Sequence, residues 1–260
     1  MNLYYEDVPA GNDEAPQLPP LLRSEAMEAG TDILAKAISR AAAGKVGLVC
    51  YSQAAHVLDM AITLAPEVPV IQAQQMHYTM MNAVGDAIGA LAPPEVGVRY
   101  SFPGNILFNR GHAGVVRLSA APTANPEKDI PDWLVVSTQI RLDFADTNHD
   151  TDYRMANTSL AEEGGSFISR TRLLESSCRH FLVWLHQWEE EGFKPVHEKW
   201  LKRIEDNTML TAQNGTAFNF VGVDDTGAGL LSEADMVRSV SLAEAASLFG
   251  KSGLAELEQG

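Results

Sequence analysis

Apolar and polar residues follow two rhythms along this chain, and the switches between them mark its elements. Between 24 and 43, SEAMEAGTDILAKAISRAAA sets Ile33, Leu34, Ala37 and Ile38 on one helical face, with Gly44 as the stop. KVGLVCYS (45–52) reads as a buried strand, and VLDMAITLAP (57–66) as a second, alternating run ending in Pro-Glu-Val-Pro. From 70 to 92, apolar residues recur at spacings of three and four, and Pro93-Pro94 stops the helix this predicts. Residues 99–119, RYSFPGNILFNRGHAGVVRLS, predict a hairpin in which the runs ILF and VV flank the turn residues NRG. WLVVSTQIRLDF (133–144) is a further strand, apolar first and alternating later. The stretch 144–165, FADTNHDTDYRMANTSLAEEGG, has no period, and polar loops of that length tend to carry function or move. Helices follow over 169–192 and 197–206, and then GTAFNFVGVDDTGAGLLS (215–232) places a DDTG turn between strands.

Helices thus stand apart from strands joined by hairpins. The order predicts an α+β fold, with helices packed on a mixed, mostly antiparallel sheet and a small C-terminal β domain. The predicted divisions are an acidic, proline-rich arm at 1–22, a main domain at 23–207 and the β domain at 208–260.

Composition narrows the function. An apolar fraction of 45% over 260 residues supports a sizeable core. The net charge of −15 repels a phosphate backbone, so nucleic acid is not an expected partner. No apolar run reaches bilayer length, so no membrane association is expected, and the acidic first residues lack the pattern of a secretory signal. Cys50 and Cys178 make no CxxC spacing, which fits a reducing cytoplasm.

Candidate chemistry is sparse. FGKSG (249–253) has the Gly-Lys-Ser of a phosphate loop but Ala245 where its leading glycine belongs. His56/Asp59, His149/Asp150/Asp152 and Cys178/His180 are local groups with no further ligand to complete a converging set, so no metal site is expected. FLVWLHQW (181–188) has the spacing of a core helix. Cations gather only around the hairpin, where Arg99, Arg110, His112 and Arg117 lie near Asn105. On a regular strand His112 and Arg117, five apart, would face opposite sides and share a pocket only across a bulge.

This hairpin resembles the central strand-turn-strand of the biotin/lipoate protein ligase family. Phe102-Pro103-Gly104-Asn105 is similar to the family's Trp-Pro-Asn-Asp, and His112, before Ala113-Gly114, falls at its lysine. Gly30-Thr31-Asp32 resembles the Ser-Thr-Asn helix start, YSQAA (51–55) the Gln-Gln-Ala segment, and DWLVVSTQIRL the strand ending Gly-x-Gly-Ile-Asn, with Arg141 at the asparagine. The resemblance implies a class II ligase-like fold with an SH3-like C-terminal domain. It also implies a pocket for an acyl or cofactor-like ligand, with His112 as the catalytic position. Thr31, Asp32, Ser52, Gln53, Asn105, Ala113, Gly114, Arg117 and Arg141 are implied as ligand-binding residues.

The chain departs from the family pattern at the residues that handle charge. No Gly-Arg-Gly-Arg stretch follows YSQAA, histidine stands for lysine, and the Pro-Asn-Asp carboxylate is missing. Forming an acyl-adenylate requires donors or cations aimed at the developing charge. The expected function is therefore binding of a small carboxylic acid without ordinary biotin ligation. The alternatives are a divergent ligase using ATP and biotin or lipoate, an octanoyl-type acyltransferase drawing on His112, Arg117, Arg141 or Cys50, and a non-catalytic interaction module. An acceptor protein domain is a possible partner, and an exposed sheet edge would allow a homodimer.

Overall fold

The computed structural model of the protein describes residues 15–145, 151–205, 209–233 and 236–249. Its main sheet is built from β1 (Arg23–Met27), β2 (Leu48–Ser52), β3 (Val57–Leu64), β4 (Val98–Ser101), β5 (Asn105–Phe108), β6 (Gly111–Ala120) and β7 (Leu134–Arg141). The strand order is β1-β2-β3-β7-β6-β5-β4, antiparallel except for the parallel β1–β2 pair. Helices α1 (Ile33–Ala42), α2 (Val70–Ala73), α3 (Met76–Leu91), α4 (Thr151–Ala156), α5 (Arg170–Glu191) and α6 (Phe193–Leu201) accompany it. A second antiparallel sheet follows, with β8 (Met209–Thr211), β9 (Ala217–Val223), β10 (Gly229–Glu233) and β11 (Met236–Val240) in the order β11-β10-β9-β8, and α7 (Leu242–Leu248) comes after it. This is the α+β arrangement the sequence predicts.

Alternation along the strands gives the main sheet two unlike faces. Leu58, Met60, Ile62, Ile106, Phe108, Val136 and Ile140 point to one face and pack beneath α3, α5 and α6, where α3 is buried on nearly every side. On the opposite face α1 packs over a small cluster, with Cys50, Ala61 and Val135 against Ile33, Ala37 and Ala41. Asp59, Arg117, Ser137 and Gln139 also lie on that second face, and they line the site.

Local signals explain several boundaries. Asp32 caps α1 by accepting from the Ala35 amide at 2.9 Å, and Gly44 follows the helix at φ +77°. Asn109 and Arg110 both take positive φ, the two-residue turn that suits the twist between β5 and β6.

Three expectations are corrected. The helix expected over 24–43 begins only at Ile33, because residues 23–27 pair with β2 as an edge strand instead. The polar stretch at 144–165 is partly helical, containing α4 and a π-helical turn at Ala161–Gly165. The helix expected over 197–206 runs from Phe193 to Leu201.

The C-terminal sheet is tied to the main body by buried hydrogen bonds. Tyr78 donates its hydroxyl to the Gly227 carbonyl at 2.7 Å. Gln74 and Gln75 donate to the Thr226 and Asp225 carbonyls, each at 3.0 Å. Phe220 stacks on Phe102 at 5.1 Å, and Gly229 presses so closely on that ring that any Cβ would collide with it. On the far side of α3, Asp86 accepts from Lys199, Arg203 and the Trp184 indole, which fixes α5 and α6 to α3. Burial would raise its pKa, but those partners hold the carboxyl below its usual range.

Candidate functional site

A cavity of about 380 Å3 opens where the N-terminus of α1 meets the polar face of the sheet. Gly30, Thr31 and Asp32 form one wall, Asp59, Ser137 and Gln139 the floor, and Val115 to Ser119 of β6 the opposite side. Leu242 and Ala246 of α7 reach over it from the C-terminal unit. The volume suits a small organic ligand.

The polar groups on the floor form a relay. Gln139 donates to Asp59 Oδ2 at 3.0 Å and accepts from Arg117 Nη1 at 3.3 Å. Arg117 Nε and Nη2 are buried and have no hydrogen-bond partner. These two atoms lie on one edge of the guanidinium, the edge that grips a carboxylate with parallel hydrogen bonds. Burial lowers the Arg117 pKa while the charges of Asp59 and Asp32 raise it, and the group stays protonated.

His77 closes a corner of the cavity next to Pro103 and Gly104. Its Nε2 lies 2.7 Å from the Pro103 carbonyl and so carries the proton donated there, while Nδ1 is buried without a partner. Burial, opposed by that hydrogen bond, pushes its pKa down to about 4. Gly104 leaves no room for a side chain, since a Cβ would meet the Val116 carbonyl and the His77 ring.

His112 lies elsewhere. Between β5 and β6 the register slips, Ile106 pairing with Gly114 and Leu107 with His112, so Ala113 is an extra residue. This bulge reverses the alternation and turns His112 and Arg117 to the same face of the sheet, the exception the spacing argument allowed. They share that face but not the cavity. His112 Nε2 sits 3.1 Å from Asn105 Oδ1, and the His112 carbonyl accepts from Arg141 Nη1 at 2.9 Å. Arg141 also donates to the Thr158 carbonyl and is almost fully buried. Burial first, then the Arg141 charge, pushes the His112 pKa down to about 4, so the ring is neutral at pH 7.

Of the residues implied by the resemblance, the cavity gathers Thr31, Asp32 and Arg117. Asn105, His112 and Arg141 form the separate cluster just described. Ala113 points into the main core, and Gly114 is pressed against Ile140. Ser52 is buried, with its hydroxyl capping the Ala54 amide, and Gln53 lines another hollow between His56 and the start of α5. Cys50 lies under α1, where burial and then the Glu25 charge push its thiol up to about 11. His149, Asp150 and Gly250–Gly253 fall outside the described residues.

Residues 18–202 match the family model described as the Biotin/lipoate A/B protein ligase family. The chain belongs to that family. A biotin--[acetyl-CoA-carboxylase] ligase from Paracoccus denitrificans is 24% identical to this ligase-family chain over 65% of it and 71% of the relative. The crystal structure of a biotin protein ligase-like protein of unknown function from Silicibacter sp. TM1040 superposes with a TM-score of 0.78 at 33% identity, covering 88% of this chain and 97% of that one. The biotin protein ligase from Aquifex aeolicus in complex with biotin and ATP shares the fold, with a TM-score of 0.59 at 14% identity over 77% and 88% of the two chains.

Within this family member, β2 ends at Ser52 and β3 begins at Val57, so only residues 53–56 join them. Sequence reasoning passed over Asp59, His77, Gln139, Leu242 and Ala246 as parts of one site. The signals were there: an acid inside the apolar run VLDMAITL, a histidine in an apolar helix, and a Ser-x-x-Glu helix start at Ser241.

Proposed function

We propose that this family member binds a small carboxylic acid in the cavity beneath α1 and α7 and does not adenylate it. The carrying observation is Arg117, which lines the cavity as the one cation among its described lining residues and whose Nε and Nη2 are buried without a hydrogen-bond partner. A carboxylate accepts from Nε and Nη2 together, while Gln139 and Asp59 keep the fork in place. Apolar atoms of the acid meet Leu34, Leu118 and Leu242.

The separation of Arg117 from His112 argues against adenylation. An acid held by Arg117 has its carboxylate away from His112 and Arg141, whose side chains are committed to Asn105 and to backbone carbonyls. The four-residue link after β2 is too short to wrap a phosphate, and His112 is uncharged at pH 7. Loss of one transition-state donor typically costs about a hundred- to thousandfold in rate. Acyl transfer through Cys50 is disfavoured as well, because its buried thiol stays protonated.

Thermal unfolding in the presence of octanoate, lipoate or biotin, each with and without ATP, tests the reading. A ligand at a hundredfold excess over its Kd adds about 2.7 kcal/mol of stability, so Tm should rise by several degrees with an acid alone, and Arg117→Met should abolish the rise. Pyrophosphate release that requires both ATP and the acid would overturn the proposal in favour of an active ligase. No response to any acid would overturn it in favour of an interaction module.

A further inference from the structure

The roof of the cavity comes from a different part of the chain than its floor. Leu242 and Ala246 are one helical turn apart, so they project from the same side of α7. Leu242 is buried, whereas Ala246 is exposed and sits on the rim. α7 is anchored by Ala245, fully buried in the main core, and by its Leu248 carbonyl, which accepts from the Gln213 amide at 2.9 Å. The sheet that carries α7 is fixed through Tyr78, Gln74 and Gln75. The roof is thus a wall in a set position rather than a loose flap.

We propose that α7 sets the length of the acid the cavity accepts, with Leu242 as the stop and Ala246 as the rim past which a longer chain must run. This rests on the reading of the cavity as an acid site. With the carboxylate fixed at Arg117 on the sheet, the chain of the ligand has the apolar lining left to follow, and Leu242 and Ala246 are the part of that lining that α7 supplies. A methyl side chain at the rim leaves a gap, and a larger one fills it. Each methylene excluded from an apolar pocket costs roughly tenfold or more in discrimination. Selectivity would then reside in the C-terminal unit, while the main domain supplies recognition of the acid group.

The test compares Tm shifts and Kd values for hexanoate, octanoate, decanoate and dodecanoate in the intact chain and in two variants. Ala246→Phe changes an exposed position, so the fold should persist. It should lower affinity for the longest accepted acid by roughly tenfold or more and leave the shortest acid nearly unaffected. Leu242→Ala should move the preference toward longer acids, with circular dichroism confirming the fold. An unchanged chain-length profile in a folded Ala246→Phe protein that still binds acids would overturn the role of α7 alone. Failure of the unmodified protein to bind any of the four acids would instead overturn the acid-site reading on which it rests.

Discussion

Arg117 and His77 show how burial assigns opposite roles to two basic side chains in one cavity. Burial lowers the pKa of both, but the guanidinium, supported by Asp59 and Asp32, starts high enough to keep its charge, whereas the imidazole loses its own. His77 and His112 both titrate near 4 in the folded chain against 6.5 for an ordinary histidine. Between those values the unfolded chain binds protons that the native chain does not, so stability is complete above pH 6.5 and declines as the pH falls toward about 4. Urea midpoints measured across that range should fall for the native protein. In His77→Gln, which retains a donor for Pro103, part of the slope should vanish, and an undiminished slope would show that His77 protonates freely in place. Thr31, Asp32 and Arg117, which line the cavity, were expected as ligand-binding positions through the family resemblance. His77 stands out in the sequence only as a histidine in an apolar helix, and nothing around MHYTMM shows that its ring reaches Gly104.

Among the elements, most strands were legible because their apolar runs are long and bounded by turn residues. β1 was not. SEAM is a helix-friendly tetrapeptide, and only its parallel pairing with a strand more than twenty residues later makes it extended, a tertiary contact overriding propensity. The bulge on β6 was equally hidden, because an extra residue leaves no mark in a run such as HAGVV. The close approach of Gly104 to Val116 and His77 leads to a second prediction. Gly104→Ala should destabilise the protein by about 1–3 kcal/mol through overpacking, read as a lower urea midpoint with an unchanged slope. A neutral result would mean that β6 yields to the added methyl.

On the scale of the molecule, the cavity is lined both from the main sheet and from α7 after the C-terminal sheet, although the two sheets fall on either side of residues 206–208. The hydroxyl of Tyr78 is central to that union, since it satisfies the Gly227 carbonyl inside the contact. Tyr78→Phe leaves this carbonyl without its partner and should cost about 1–3 kcal/mol. Amide exchange in β9 and β10 should accelerate more than exchange in β3 and β7, whereas equal acceleration would point to a general loss of packing. The charge of −15 and the periodic helices were visible from the start. The docking was not, because its polar contacts join residues about 150 positions apart.

The brevity of the link between β2 and β3 bears on how long a guest stays. Four residues cannot arch over the sheet, so no hinged strap has to be unfastened on that side before a bound molecule departs. On the proposed reading of the cavity as an acid site, residence time is set by the guanidinium grip and the helical roof, and dissociation should proceed in one exponential phase rather than wait on a loop.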